Sequence, residues 1–110
     1  ALAIALSSES REDRLRKIYN IVGSGLHISE AVPAAFGIFL ICDGDGWETV
    51  CEAVNVGYDT DTVAAIAGSI AGALNGTKGI DLSLISVLDR ENEIHLEETA
   101  RKAAKLAAEK

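Results

Sequence analysis

The sequence predicts an all-α protein, an orthogonal helical bundle running over residues 1–110. Three observations carry that prediction. Apolar residues recur at helical spacing, strand alternation is absent outside one short segment, and Gly- or Asp-rich turns divide the chain into helix-sized pieces. The chain is 48% hydrophobic and 25% charged, which supports one domain with a core and excludes a disordered tail.

The elements follow in order. Ala1 to Leu6 is an apolar run that lacks the positively charged start of a signal peptide, which suggests a cytoplasmic protein. It reads as an interrupted helix, and with no Met in the chain the expectation is a piece of a longer polypeptide. Glu9 to Val22 places Leu15, Ile18, Tyr19 and Val22 on one face of an amphipathic helix that Gly23 and Gly25 end. Ser29 is expected to begin the next helix, with Glu30 and Pro33 in its first turn and apolar residues to Cys42, before Asp43-Gly44-Asp45-Gly46 breaks it. Trp47 to Val56 forms a short helix.

Thr62 to Asn75 is apolar on nearly every side and is expected to be a central buried helix. Ala64, Gly68, Gly72 and Gly76 recur along it as a groove that another helix could approach closely. Ile80 to Leu88 fits either a strand or a short helix. Glu91 to Lys110, with acids early and bases late, predicts one surface helix that closes the fold. The apolar stretches Ala31 to Ile41 and Val63 to Leu74 fall short of the roughly 20 residues that cross a bilayer, so no membrane span is expected.

Charge is distributed unevenly. No Lys or Arg lies between Lys17 and Lys78, whereas Glu30, Asp43, Asp45, Glu48, Glu52, Asp59 and Asp61 all do. These seven acids account for the whole net charge of −7 and create a field that attracts cations and repels a nucleic acid backbone. Cys42 and Cys51 have neither CxxC nor Cys/His ligand spacing and read as free, inert thiols.

The chemistry concentrates in Asn55-Val56-Gly57-Tyr58-Asp59-Thr60-Asp61-Thr62, where carboxylates and hydroxyls crowd the start of the apolar helix. One acid would cap that helix, an interaction worth roughly 0.5–2 kcal/mol. Two acids two residues apart followed by Thr62 also offer hard oxygen ligands of the kind that Mg²⁺ or Mn²⁺ takes, so cap and metal site both remain open from the residues alone. Tyr58 beside them could stack on a sugar or base or pack on a neighbouring helix. A second acidic turn, starting at Asp43, fails as a calcium loop, because its fifth, sixth and twelfth positions are Trp47, Glu48 and Val54. His27 and His95 have no catalytic partner at a telling spacing and are given no role.

Asn55 to Gly76, read as N-x-G-x-D-T-D-T followed by an Ala/Gly/Ile helix, resembles the last metal motif of the ADP-ribosylglycohydrolases. Upstream, Ser24-Gly25, Ala31-Val32-Pro33-Ala34-Ala35, Phe39-Leu40 and Trp47 to Val54 resemble that family's approach to the motif. The resemblance implies the C-terminal portion of an all-α hydrolase, which binds two Mg²⁺ ions and cleaves the glycosidic bond between ADP-ribose and a protein side chain or small acceptor. It further implies that Asp59, Asp61 and Thr62 are metal ligands, that Asp61 orients the attacking water, and that Gly57 and Tyr58 face the substrate. Tyr58 departs from the second Gly that family members commonly carry. The family's earlier Thr-Asp-Asp motif has no counterpart here, which implies that the remaining N-terminal part of the fold is a partner. The alternatives are a catalytically inactive structural or ADP-ribose-binding protein of the same fold, and a small helical module whose acidic turn is only a cap.

Overall fold

The structure is a computed structural model that describes residues 1–109. It contains helices and turns, with no strand among the described residues. The chain forms two compact units, Ala1–Ile80 and Asp81–Lys110.

The first unit begins with a single turn, α1 (Leu2–Ala5). Helix α2 (Arg11–Lys17) starts at Ser10, whose hydroxyl accepts from the Asp13 amide at 3.1 Å. The chain then widens into a π-helical turn over Ile18–Val22, closed by a Gly23 amide to Ile18 carbonyl bond of 3.0 Å. The expected helix over Glu9 to Val22 is therefore two geometries in series. Ile18, fully buried, is the anchor of this segment, and Gly37 of the next helix makes room for it, because a Cβ at Gly37 would lie 2.6 Å from Ile18 Cδ1.

Helix α3 (Ile28–Ile41) starts one residue before the predicted Ser29, with His27 in the cap position and no side-chain cap bond. Pro33 consequently falls in the second turn rather than the first, where its missing N–H leaves the Ser29 carbonyl without its usual helical donor. The helix buries Ala31, Ala34, Ala35, Ile38 and Ile41 on one face. After the Asp43 to Gly46 turn, α4 (Gly46–Val56) starts at Asp45, whose carboxylate accepts from the Glu48 amide at 2.8 Å. The acidic turn rejected as a calcium loop is thus a helix cap.

Helix α5 (Thr60–Asn75) packs against both α3 and α4 and begins two residues before the predicted Thr62. It buries Val63, Ala64, Ala67 and Ala71, while Asp61, Thr62, Ala65, Ser69 and Ala73 are exposed. The helix expected to be central and buried packs against both neighbours on one face, while Ala, Gly and Ser line its other, exposed face. Of the small-residue groove, Gly68 is closely approached, since a Cβ there would lie 3.0 Å from Val50 Cγ2. Gly72 and Gly76 face open space.

The second unit is a pair of helices, α6 (Leu82–Asn92) and α7 (Leu96–Ala108). The ambiguous Ile80 to Leu88 segment is helical, with Asp81 accepting from the Ser83 amide at 2.8 Å as its cap. The single predicted helix over Glu91 to Lys110 is corrected to the end of α6, a break and α7; Lys110 lies outside the described residues. Glu93 and His95 adopt left-handed φ angles of 51° and 56°, and the Asp89 carboxylate accepts from the Leu96 amide at 2.8 Å to close the break. Along α7 the pairs Glu97–Arg101 and Glu98–Lys102 sit four residues apart, the favourable acid-first order. Among the described residues no helix is long and apolar enough to cross a membrane.

Candidate active site at the Asn55 to Thr62 turn

The turn between α4 and α5 reverses the chain in three residues. Gly57 takes a φ of 94° and Tyr58 a φ of 70°, after which Asp59 stands at the cap position of α5. Glycine takes such a conformation without penalty. A tyrosine does not, and the left-handed region costs an L-residue roughly 1–2 kcal/mol. Position 58 is thus filled by a residue that this backbone conformation disfavours.

Ser24 holds the turn in place. Its buried hydroxyl donates to the Gly57 carbonyl at 2.8 Å, and its own carbonyl accepts from the Asp59 amide at 3.0 Å. These two bonds bracket Tyr58. The adjoining Gly25 amide donates to Glu30 Oε2 at 3.1 Å. Any Cβ at Gly25 would lie 2.5 Å from that oxygen and 2.9 Å from Tyr58 Cε1, so glycine lets the ring lie against the backbone. Tyr58 remains 75% exposed, so it does not pack into a neighbouring helix.

Asp59 is half-buried, and its carboxylate makes no cap hydrogen bond although it occupies the cap position. Asp61 and Thr62 are exposed on the first turn of α5. Among the hydrogen bonds and ion pairs of the described residues, none engages the side chains of Asp59, Asp61 or Thr62. A purely structural cap would use its carboxylate. Two uncommitted carboxylates and a hydroxyl, far from any Lys or Arg in sequence, are donors of the hard-oxygen kind that Mg²⁺ or Mn²⁺ takes. The described residues contain no group of three His, Cys, Asp or Glu side chains placed to hold a metal on their own.

The other singled-out residues lie elsewhere. Asp45 is a cap, His27 begins α3, and His95 sits in the break of the second unit. Cys42 is buried, and burial pushes its thiol up to about 11, with the Arg11 guanidinium opposing that shift from 3.3 Å. The thiol form is favoured, as expected of an inert cysteine. Arg11 bridges α2 to α4 by also pairing with Glu48 and, at 3.3 Å, with Glu52. Sequence reasoning missed this brace and missed Tyr19, whose ring atom Cε2 would lie 3.8 Å from a Cβ at Gly57. No periodicity marks either contact, because both join residues more than thirty positions apart.

Residues 1–110 match the family model described as ADP-ribosylglycohydrolase, and the chain belongs to that family. It is 33% identical over 105 residues to the uncharacterized protein YegU of Escherichia coli strain K12, covering 96% of this chain and 31% of that protein. Over 85 residues it is 38% identical to ADP-ribosylhydrolase ARH3 of Xenopus tropicalis, covering 67% of this chain and 24% of that protein. Its identity to ADP-ribosylhydrolase ARH3 of Danio rerio is 35% over 79 residues, 63% of this chain and 21% of that protein. The chain therefore spans between a fifth and a third of the length of these relatives. No solved structure matches it.

Proposed function

We propose that this chain is the C-terminal portion of a Mg²⁺-dependent hydrolase that cleaves the glycosidic bond between ADP-ribose and a protein side chain or small acceptor. The observation that carries the reading is the uncommitted Asp59, Asp61 and Thr62 set on the first turn of α5. Family membership and the names of the ARH3 relatives support the substrate class.

In this reading Asp59, Asp61 and Thr62 hold two Mg²⁺ ions, or Mn²⁺, together with ligands from the remaining N-terminal part of the fold, the partner that this chain requires. When bound, such a pair of ions supplies charge stabilisation at the anomeric centre and a water of lowered pKa. Asp61 would orient the attacking water by accepting one of its hydrogen bonds. Gly57, with no side chain, admits the ribose close to the backbone, and Tyr58 borders the same mouth. Ser24 keeps the turn rigid through its two bonds, so the carboxylates need little reorganisation on binding. The protein acts in the cytoplasm.

A second reading is an ADP-ribose-binding or structural protein of the same fold without catalysis. Native mass spectrometry of the protein purified from its own cells, with Mg²⁺ and ADP-ribose added, separates the two. A complex with a larger polypeptide, two metal ions and one ADP-ribose supports the hydrolase. ADP-ribose bound without metal supports the second reading, and a lone chain that binds neither contradicts both.

A further inference from the structure

The chain has two tyrosines, and both line one groove beside the candidate site. Tyr19 closes one wall with its ring near Gly57, and Tyr58 closes the other with its ring against Gly25. Between them lies Glu30, whose Oε2 accepts from the Gly25 amide and whose Oε1 has no partner among the hydrogen bonds and ion pairs of the described residues. Tyr19 and Tyr58 are 45% and 75% exposed.

No basic side chain of the middle of the chain competes for this carboxylate, because none occurs between Lys17 and Lys78. The nearest in sequence are committed elsewhere: Lys17 pairs with Glu9, and Arg16 pairs with Asp13 at 3.1 Å. Two exposed tyrosines beside a carboxylate, in a region whose net charge is wholly negative, suit an organic cation. A planar guanidinium fits best, since it can stack on a tyrosine face while donating to a carboxylate.

We infer that the groove formed by Tyr19, Tyr58 and Glu30 binds the basic side chain of a polypeptide, with arginine preferred over lysine. Tyr58 also borders the depression that contains Leu26 and Asp59, so one ring separates the cation groove from the candidate reaction site. The cation is then a basic residue of the polypeptide that carries the ADP-ribosyl group, a placement that rests on the hydrolase reading. Tyr58, which borders both depressions, becomes a specificity-determining residue.

The test follows the ring signals of the two tyrosines by carbon–proton NMR while N-acetylarginine amide, N-acetyllysine amide or the neutral N-acetylglutamine amide is added. The expected result is saturable movement of both rings with the arginine probe, at a Kd of about 1–10 mM, and weaker movement with lysine. Glu30→Gln, which keeps an acceptor for the Gly25 amide, should weaken arginine binding by about threefold to fivefold. Tyr19→Leu should do so by about threefold through the lost ring face. Immobile tyrosine signals, equal response to the glutamine probe, or unchanged affinity in Glu30→Gln would overturn the inference. Adding Mg²⁺ and ADP-ribose to the same sample keeps the two claims apart. Response of the Asp59 to Thr62 amides without an arginine response removes the cation groove alone, and an arginine response without theirs keeps the groove but removes its placement on an ADP-ribosylated polypeptide.

Discussion

Replacing Tyr58 tests the backbone that shapes the candidate site. At a φ of 70° any L-residue is disfavoured, so Tyr58→Ala keeps the strain and loses the ring, whereas Tyr58→Gly loses both. With the ring 75% exposed, about a quarter of a tyrosine's roughly 200 Å² is buried, worth about 1 kcal/mol to either variant. Relief of the left-handed conformation returns roughly 1–2 kcal/mol in the glycine variant, against about 0.5–1 kcal/mol of extra unfolded-state entropy. Tyr58→Gly should therefore stand within about 1 kcal/mol of the parent, and above Tyr58→Ala by about 1 kcal/mol. Urea unfolding followed by the single tryptophan, Trp47 on α4, reads the difference, and a thermal melt should separate the two by about 4–8 °C. Glycine ordinarily lowers stability relative to alanine, so an alanine variant equal to or better than the glycine variant would refute the left-handed assignment.

Other consequences are independent of that one. Gly37→Ala should cost about 1–3 kcal/mol, because its Cβ would meet Ile18 Cδ1 at 2.6 Å in a fully buried site. Adding Ile18→Val, which removes that methyl, should recover part of the loss, and additive effects in a double-mutant cycle would contradict the contact. Asp45→Ala should lower stability by about 1 kcal/mol through the lost cap of α4, measured by the same urea titration; no loss would contradict the cap. For Cys42 the folded thiol binds its proton more tightly than the unfolded one. Stability should fall as pH rises from 9.0 towards about 11, and Cys42→Ala should flatten that slope. At pH 8 a thiol reagent should label Cys51 well before Cys42, and the opposite order would contradict the burial of Cys42.

The helix interiors and the Asn55 to Thr62 turn are legible in sequence because each rests on local signals, the apolar period in one case and adjacent oxygen donors in the other. What escapes is non-local or compositionally silent. The break between α6 and α7 falls on Glu93 and His95, which take left-handed angles without glycine and so leave no marker. The exposed face of α5 looks apolar because Ala65, Gly72 and Ala73 carry no polar group, whatever they face. Ser24 was visible only as part of a family pattern; its physical role as the clasp of the turn needs the fold that brings it to Gly57. Tyr19 and Glu30 likewise become neighbours of Tyr58 through packing alone.

In the proposed function the first turn of α5 takes a divalent cation in preference to the chain's other acidic turn. Substoichiometric Mn²⁺ added to isotope-labelled protein broadens the amide signals nearest the ion. The expected result is early, selective loss of the Asp59 to Val63 signals, competed by Mg²⁺ and abolished in Asp61→Asn. Broadening that begins at Asp43 to Gly46, or that Asp61→Asn leaves unchanged, would contradict it.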